Sequence, residues 1–209
     1  MSSASHLDVL RRIRAPDEKP RPRPGERCEL CTEPIAEAHG HLVDLQQRAL
    51  MCACRGCYLL FTADGAGGTR FRAVPDRYLA FTDLRLSPGE WDALQVPVSV
   101  AFFFVNSSLD RIAAFYPGPA GATESLLPLE TWNELVAAHA ELGTLEPDVE
   151  AILVRSDRTT NHAECFLVPI DACYELVGRL RQLWRGFDGG SDARDALDAF
   201  FDHVRTRAR

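Results

Sequence analysis

The segment CELCTEPIAEAHGHLVDLQQRALMCACRGC, residues 28–57, constrains this chain more than any other. It opens on one C-x2-C pair, Cys28 and Cys31, and closes on a second, Cys54 and Cys57, with 22 residues between the pairs. Two thiolates at that spacing turn tightly around one cation, and two such turns facing each other complete a tetrahedron of sulfurs with metal–sulfur distances near ~2.3 Å. The residues between suit that closure. His41–Leu45 alternates like a strand, 46–48 can turn, and 49–52 can return.

A hairpin with a Cys knuckle at each end is the zinc-ribbon arrangement, and Gly56 eases the second bend. The donors are in surplus, because His39, His41 and Cys52 lie in the same segment. Cys28, Cys31, Cys54 and Cys57 form the leading ligand set. Sets in which His41 or Cys52 replaces one of them stay open, as do an iron–sulfur cluster, a second metal ion and no metal at all. Cys52 also reads as a small buried residue of the hairpin, and His41 as a hydrogen-bond partner of a thiolate. The hairpin alone has little core beyond Leu30, Ile35, Leu42, Val43, Leu45 and Leu50. A structural zinc ion adds on the order of 10 kcal/mol of coupled binding and folding energy. Four protein ligands leave no open position for activating water, so the pattern points to a scaffold, not to hydrolysis.

Composition narrows the rest. With 46% hydrophobic and 25% charged residues among 209, the chain can bury a sizeable core. A formal net charge of −7 argues against bulk attraction to nucleic acid. Lys19 is the one lysine, so arginine richness reads as codon bias, not arginine chemistry. No run approaches the ~20 apolar residues of a membrane-spanning helix. The longest, Val96–Val105, is broken by Pro97 and Ser99 and reads as a buried strand. The N-terminus lacks the pattern of a secretory signal, and the cysteines are clustered, so a reducing, cytoplasmic location is expected.

Three regions follow. Residues 1–27 hold a short helix and a Pro/Arg linker, with seven basic side chains against four acidic ones, suited either to a solvated tail or to docking on an acidic partner. Residues 28–64 form the Cys-rich module, and 65–209 an α+β domain after a Gly65–Gly68 turn. Strands are expected at 70–74, 78–84, 98–105, 111–116, 150–155 and 164–168. Helices are expected from Ser87, over 129–142, over 171–187 and over 191–207. The order favours a mainly antiparallel sheet with the C-terminal helices packed on one face.

Nothing else carries comparable chemistry. His162 and Glu164 flank Ala163 and would share a strand face, a conceivable proton-transfer pair for a hydrolase, ranked last. Cys173 falls on an apolar helix face and Cys165 has no partner at metal spacing. Ser107 and Ser108 lack a nucleophile elbow, and there is no HExxH or phosphate loop. No catalytic or organic-cofactor residue is assigned.

At CELC…HGHLVDL…CACRGC and FLVPIDACYELVGRLRQLWRGFDGG the chain resembles an uncharacterised, mostly actinobacterial family encoded beside uptake nickel–iron hydrogenase genes. The resemblance runs from residue 27 to the end. Its hallmark cysteine cluster is matched here by Cys28, Cys31, His41, Cys52, Cys54 and Cys57. It implies an accessory role in hydrogenase assembly, maturation or electron transfer. The expectation is a zinc-binding, non-enzymatic accessory or scaffold protein that meets a hydrogenase subunit or maturation factor. The alternative is a small iron protein, rubredoxin-like or iron–sulfur, passing electrons to or from a hydrogenase. Rubredoxins carry glycine after the second cysteine of each knuckle, where this chain has Thr32 and Tyr58.

Overall fold

The computed structural model describes residues 27–62, 70–82, 84, 87–94, 96, 98–119, 121–126, 129–157, 162–186 and 189–208. The N-terminal helix and linker over 1–26, the Gly65–Gly68 turn and Phe187 lie outside the described residues.

The chain is α+β, with antiparallel sheets and helices. Strands β1 (Gly40–Asp44) and β2 (Ala49–Ala53) form the expected hairpin, and helix α1 (Arg55–Leu60) follows it. Strand β3 (Phe71–Ala73) pairs with the free edge of β1, giving a small sheet of order β2-β1-β3. The strand that closes this sheet thus comes from beyond the glycine turn.

The large sheet contains β4 (Leu79–Ala80), β5 (Val100–Asn106), β6 (Arg111–Gly118), β7 (Gly121–Leu126), β8 (Glu150–Asp157) and β9 (His162–Pro169). Its order is β4-β9-β8-β5-β6-β7, with every described pairing antiparallel. Helices α2 (Pro88–Ala93) and α3 (Leu129–Ala138) and a 3-10 turn (Ala140–Thr144) precede β8. Helices α4 (Ile170–Leu183) and α5 (Gly190–Arg207) close the chain. The helix from Ser87 starts as its sequence dictates. Ser87 Oγ accepts from Glu90 N, and the Glu90 carboxylate accepts from Ser87 N.

The C-terminal helices α4 and α5 pack on one face of the large sheet as expected, and α2 and α3 cover the other. Val100, Phe102 and Phe104 share a core with Leu153, Phe166 and the α4 and α5 residues Leu176 and Phe201. Ala101 and Phe103 face the other way, against Trp91 of α2 and Trp132 and Leu135 of α3. The cause is visible in β5, whose first five residues are all buried. A strand apolar on both faces must be covered on both. At the head of β8 the fully buried Glu150 carboxylate accepts from Arg77 Nε at 2.7 Å and from the Glu146 backbone N–H at 2.9 Å. That pairing satisfies a charge which would otherwise be costly to bury.

Edge strand β7 was not expected. Gly118 pairs with Gly121, and Gly121 takes φ +114°, so a tight hairpin carries β6 past Pro117 into a short polar strand. Its sequence, GATESL, has no apolar alternation to announce it.

Candidate metal centre

The first knuckle is built on backbone hydrogen bonds. Cys28 N donates to Glu33 O at 2.8 Å and Thr32 N to Cys28 O at 2.8 Å. Glu29 N donates to Cys52 O at 2.9 Å, which ties the knuckle to the end of β2.

The second pair is not a second knuckle on a hairpin. Cys54 is the N-cap of α1, with extended backbone, and its Sγ accepts from Cys57 N at 3.4 Å. The thiol therefore does the work that Ser, Asp or Asn usually does at a helix start. Cys57 lies in the first turn, so cap and turn hold both sulfurs on one side. Helix α1 is fixed to the hairpin by Tyr58, whose hydroxyl donates to Val74 O at 2.8 Å. The Tyr58 ring lies flat over Gly40, where a Cβ would come within 2.5 Å of it.

These elements bring the four sulfurs together. Cys31 Sγ and Cys54 Sγ are 3.6 Å apart, and all four sulfurs lie within 4.8 Å of one another. A tetrahedron with ~2.3 Å metal–sulfur bonds has edges of about 3.8 Å, so the arrangement fits one ion. All seven cysteines are unbridged. Cys28 is buried and Cys31 exposed, so the cluster stands at the surface with one side sealed. The sulfurs ionise unequally. Burial opposes ionisation of Cys28, but backbone hydrogen bonds from Cys54, Cys31 and Leu30 outweigh it and bring the thiol down to about 6. Burial, then hydrogen bonding with Cys31, Cys54 and Cys28, pushes the Cys57 thiol up.

The remaining donors of the segment do not join this cluster. In the hairpin register His41 stands opposite Cys52, and Leu42 opposite Met51. Alternation then puts His41 and Cys52 on the face that carries Val43 into the main core. Leu42 and Met51 lie on the reverse face, in the small core that contains Cys28, Cys54 and Cys57. A nitrogen of His39, a nitrogen of His41 and the sulfur of Cys52 lie within 4.8 Å of one another. His41 does not serve a thiolate as expected. Its Nδ1 meets Asp171 Oδ2 at 2.7 Å, on the first turn of α4. Cys52 is half-buried, and burial followed by the nearby Glu29 and Cys28 charges pushes its thiol up. Sequence reasoning missed Asp171 entirely, since 130 residues separate it from His41.

Elsewhere the polar candidates are engaged in structure. Both Glu164 oxygens accept from Arg205 at 2.7 Å. The His162 backbone belongs to β9, while its side chain lies outside the described residues. Ser107 N and Oγ donate to the nearly buried Asp148. Cys165 and Cys173 are core residues on opposite sides of the large sheet.

Comparison with known proteins adds a family. The model of a family of unknown function (DUF5947) matches residues 27–208, and the chain belongs to that family. No curated protein and no solved structure matches the chain.

Proposed function

We propose that this member of an uncharacterised family is a zinc-dependent accessory or scaffold protein of the cytoplasm, acting through protein–protein contacts in nickel–iron hydrogenase assembly or maturation. In this reading 28–64 is a metal module seated on an α+β domain, 65–209, and 1–27 is a tether. The observation that carries it is the convergence of Cys28, Cys31, Cys54 and Cys57 within 4.8 Å. Zinc bound there would crosslink knuckle and helix, with its four positions filled by protein. Cys28 and Cys31 would hold it from the knuckle, and Cys54 and Cys57 from the start of α1. The backbone donors around Cys28 already favour its thiolate, the form a metal needs. The hydrogenase setting rests on the family resemblance alone.

Iron is the second reading, since the same four thiolates also suit it. Thr32 and Tyr58, in place of rubredoxin glycines, weigh against that reading.

Elemental analysis and colour decide the metal. A colourless protein with one equivalent of zinc is expected in this site, and stoichiometric iron with visible charge-transfer bands would replace zinc in the reading. Cys31→Ser and Cys54→Ser should each lose that ion, and Cys173→Ser should keep it. Full metal content in both Cys31→Ser and Cys54→Ser would overturn the ligand set. Pull-down from hydrogen-oxidising cells tests the partner, and repeated absence of hydrogenase components would remove it.

A further inference from the structure

The three donors left over by the four-sulfur cluster have the features of a second site. His39 Nδ1 lies 2.9 Å from both Ala36 O and Glu37 O. Carbonyls only accept, so Nδ1 carries a proton, and in the neutral ring Nε2 holds the lone pair. That Nε2 is buried and has no hydrogen-bond partner. His41 repeats the pattern. Its Nδ1 donates to the Asp171 carboxylate at 2.7 Å, which in the neutral ring leaves the lone pair on Nε2. A carboxylate behind an imidazole fixes its tautomer and ring orientation, the usual support of a metal-ligating histidine. Cys52 completes the group from directly across the hairpin.

We propose that His39, His41 and Cys52 bind a second metal ion, a borderline-soft divalent cation such as zinc or cobalt, with one coordination position open. Two nitrogens and one sulfur suit that class of ion, and three protein ligands leave a place for water or a small donor. Binding releases the Cys52 proton to solvent. His39, His41 and Asp171 line a cavity of about 970 Å³ together with Tyr58, Tyr78 and Cys54, so a small donor can reach the two imidazoles. The first cluster has all four positions filled by protein sulfur and the second only three, so the two sites divide into a crosslink and an exchangeable position. This inference does not require the first site to hold zinc.

Titration of the metal-free full chain with cobalt(II), followed by visible absorption, tests it. The intact chain should take up two equivalents, the second with weaker sulfur charge transfer because it has a single thiolate. Cys52→Ser and His39→Gln should each bind one equivalent and retain the thiolate-rich spectrum. Asp171→Asn should weaken the second ion about 10–100-fold and leave the first unchanged. Saturation of the intact chain at one thiolate-rich equivalent overturns the second site alone. Saturation at one equivalent with a single-thiolate spectrum overturns the four-sulfur reading and keeps this one. Two equivalents in both Cys52→Ser and His39→Gln, or loss of both ions from both, also overturns the proposal. Azide should shift the bands of the second ion; unshifted bands overturn its open position.

Discussion

Thr32 takes φ +66° immediately after Cys31, a conformation open to glycine and unusual for a β-branched residue. The turn is held by Thr32 N on Cys28 O, while Thr32 Oγ1 donates to Cys31 O at 2.6 Å. The Cys spacing is legible in the sequence; this conformation is not, because no glycine marks it. Asp44 shows a second residue whose role only contacts reveal. It is 1% exposed, accepts from Gln46 N and Gln47 N through Oδ1, and meets Arg70 Nε and Nη2 through Oδ2. The Arg70 hydrogen bonds, acting against burial, hold its pKa below the ordinary carboxylate value. A depressed folded pKa stabilises fully above the unfolded value, about 3.9, and the gain is lost as pH falls through the folded value. Asp44→Asn should therefore lower Tm at pH 7, with the gap to the native chain closing in strong acid. A gap in Tm that stays constant down to pH 2 would show that the charge is not what matters.

Among elements, the hairpin and the C-terminal helices were readable from period alone. The 3.6-residue spacing of Cys173, Leu176 and Leu180 places them on the buried side of α4. Helix α1 was not readable. Its six residues follow a cysteine cap and include Gly56, so local propensity carries little signal. Its position depends on Tyr58 lying over Gly40, a contact between segments 18 residues apart in the sequence. Gly40→Ala should displace that ring and destabilise the module by about 1–3 kcal/mol. Urea unfolding measures the loss, and metal affinity should fall with it because Cys54 and Cys57 ride on the same helix. Unchanged stability would mean that Tyr58 finds another seat at no cost.

At the scale of the whole molecule, the small sheet is anchored on the large domain through Val43, Leu45 and Leu50, which join the main core. Ser108 Oγ on Leu45 O and Arg72 Nη1 on Pro147 O add polar ties between the two. The sulfur cluster, by contrast, has only a small core of its own around Leu42 and Ala53. Metal removal should act locally. Chelation should speed amide exchange in 28–33 and 54–60, while the amides of β8 and β9 keep their protection. Hydrogen exchange with and without chelator reads both regions. Loss of protection throughout the large sheet would show that the ion supports the entire fold.

Residue order alone determined that two thiol pairs flank a hairpin, that the remainder is α+β, and that α4 and α5 are amphipathic. Each is a matter of spacing or periodicity within a short window, which sequence records directly. Tertiary structure decided how seven donors divide into two groups. It also decided that Asp171 backs His41 and that helices cover both sides of the large sheet. Those outcomes depend on strand register and on contacts between residues up to 130 positions apart, and no local pattern encodes them.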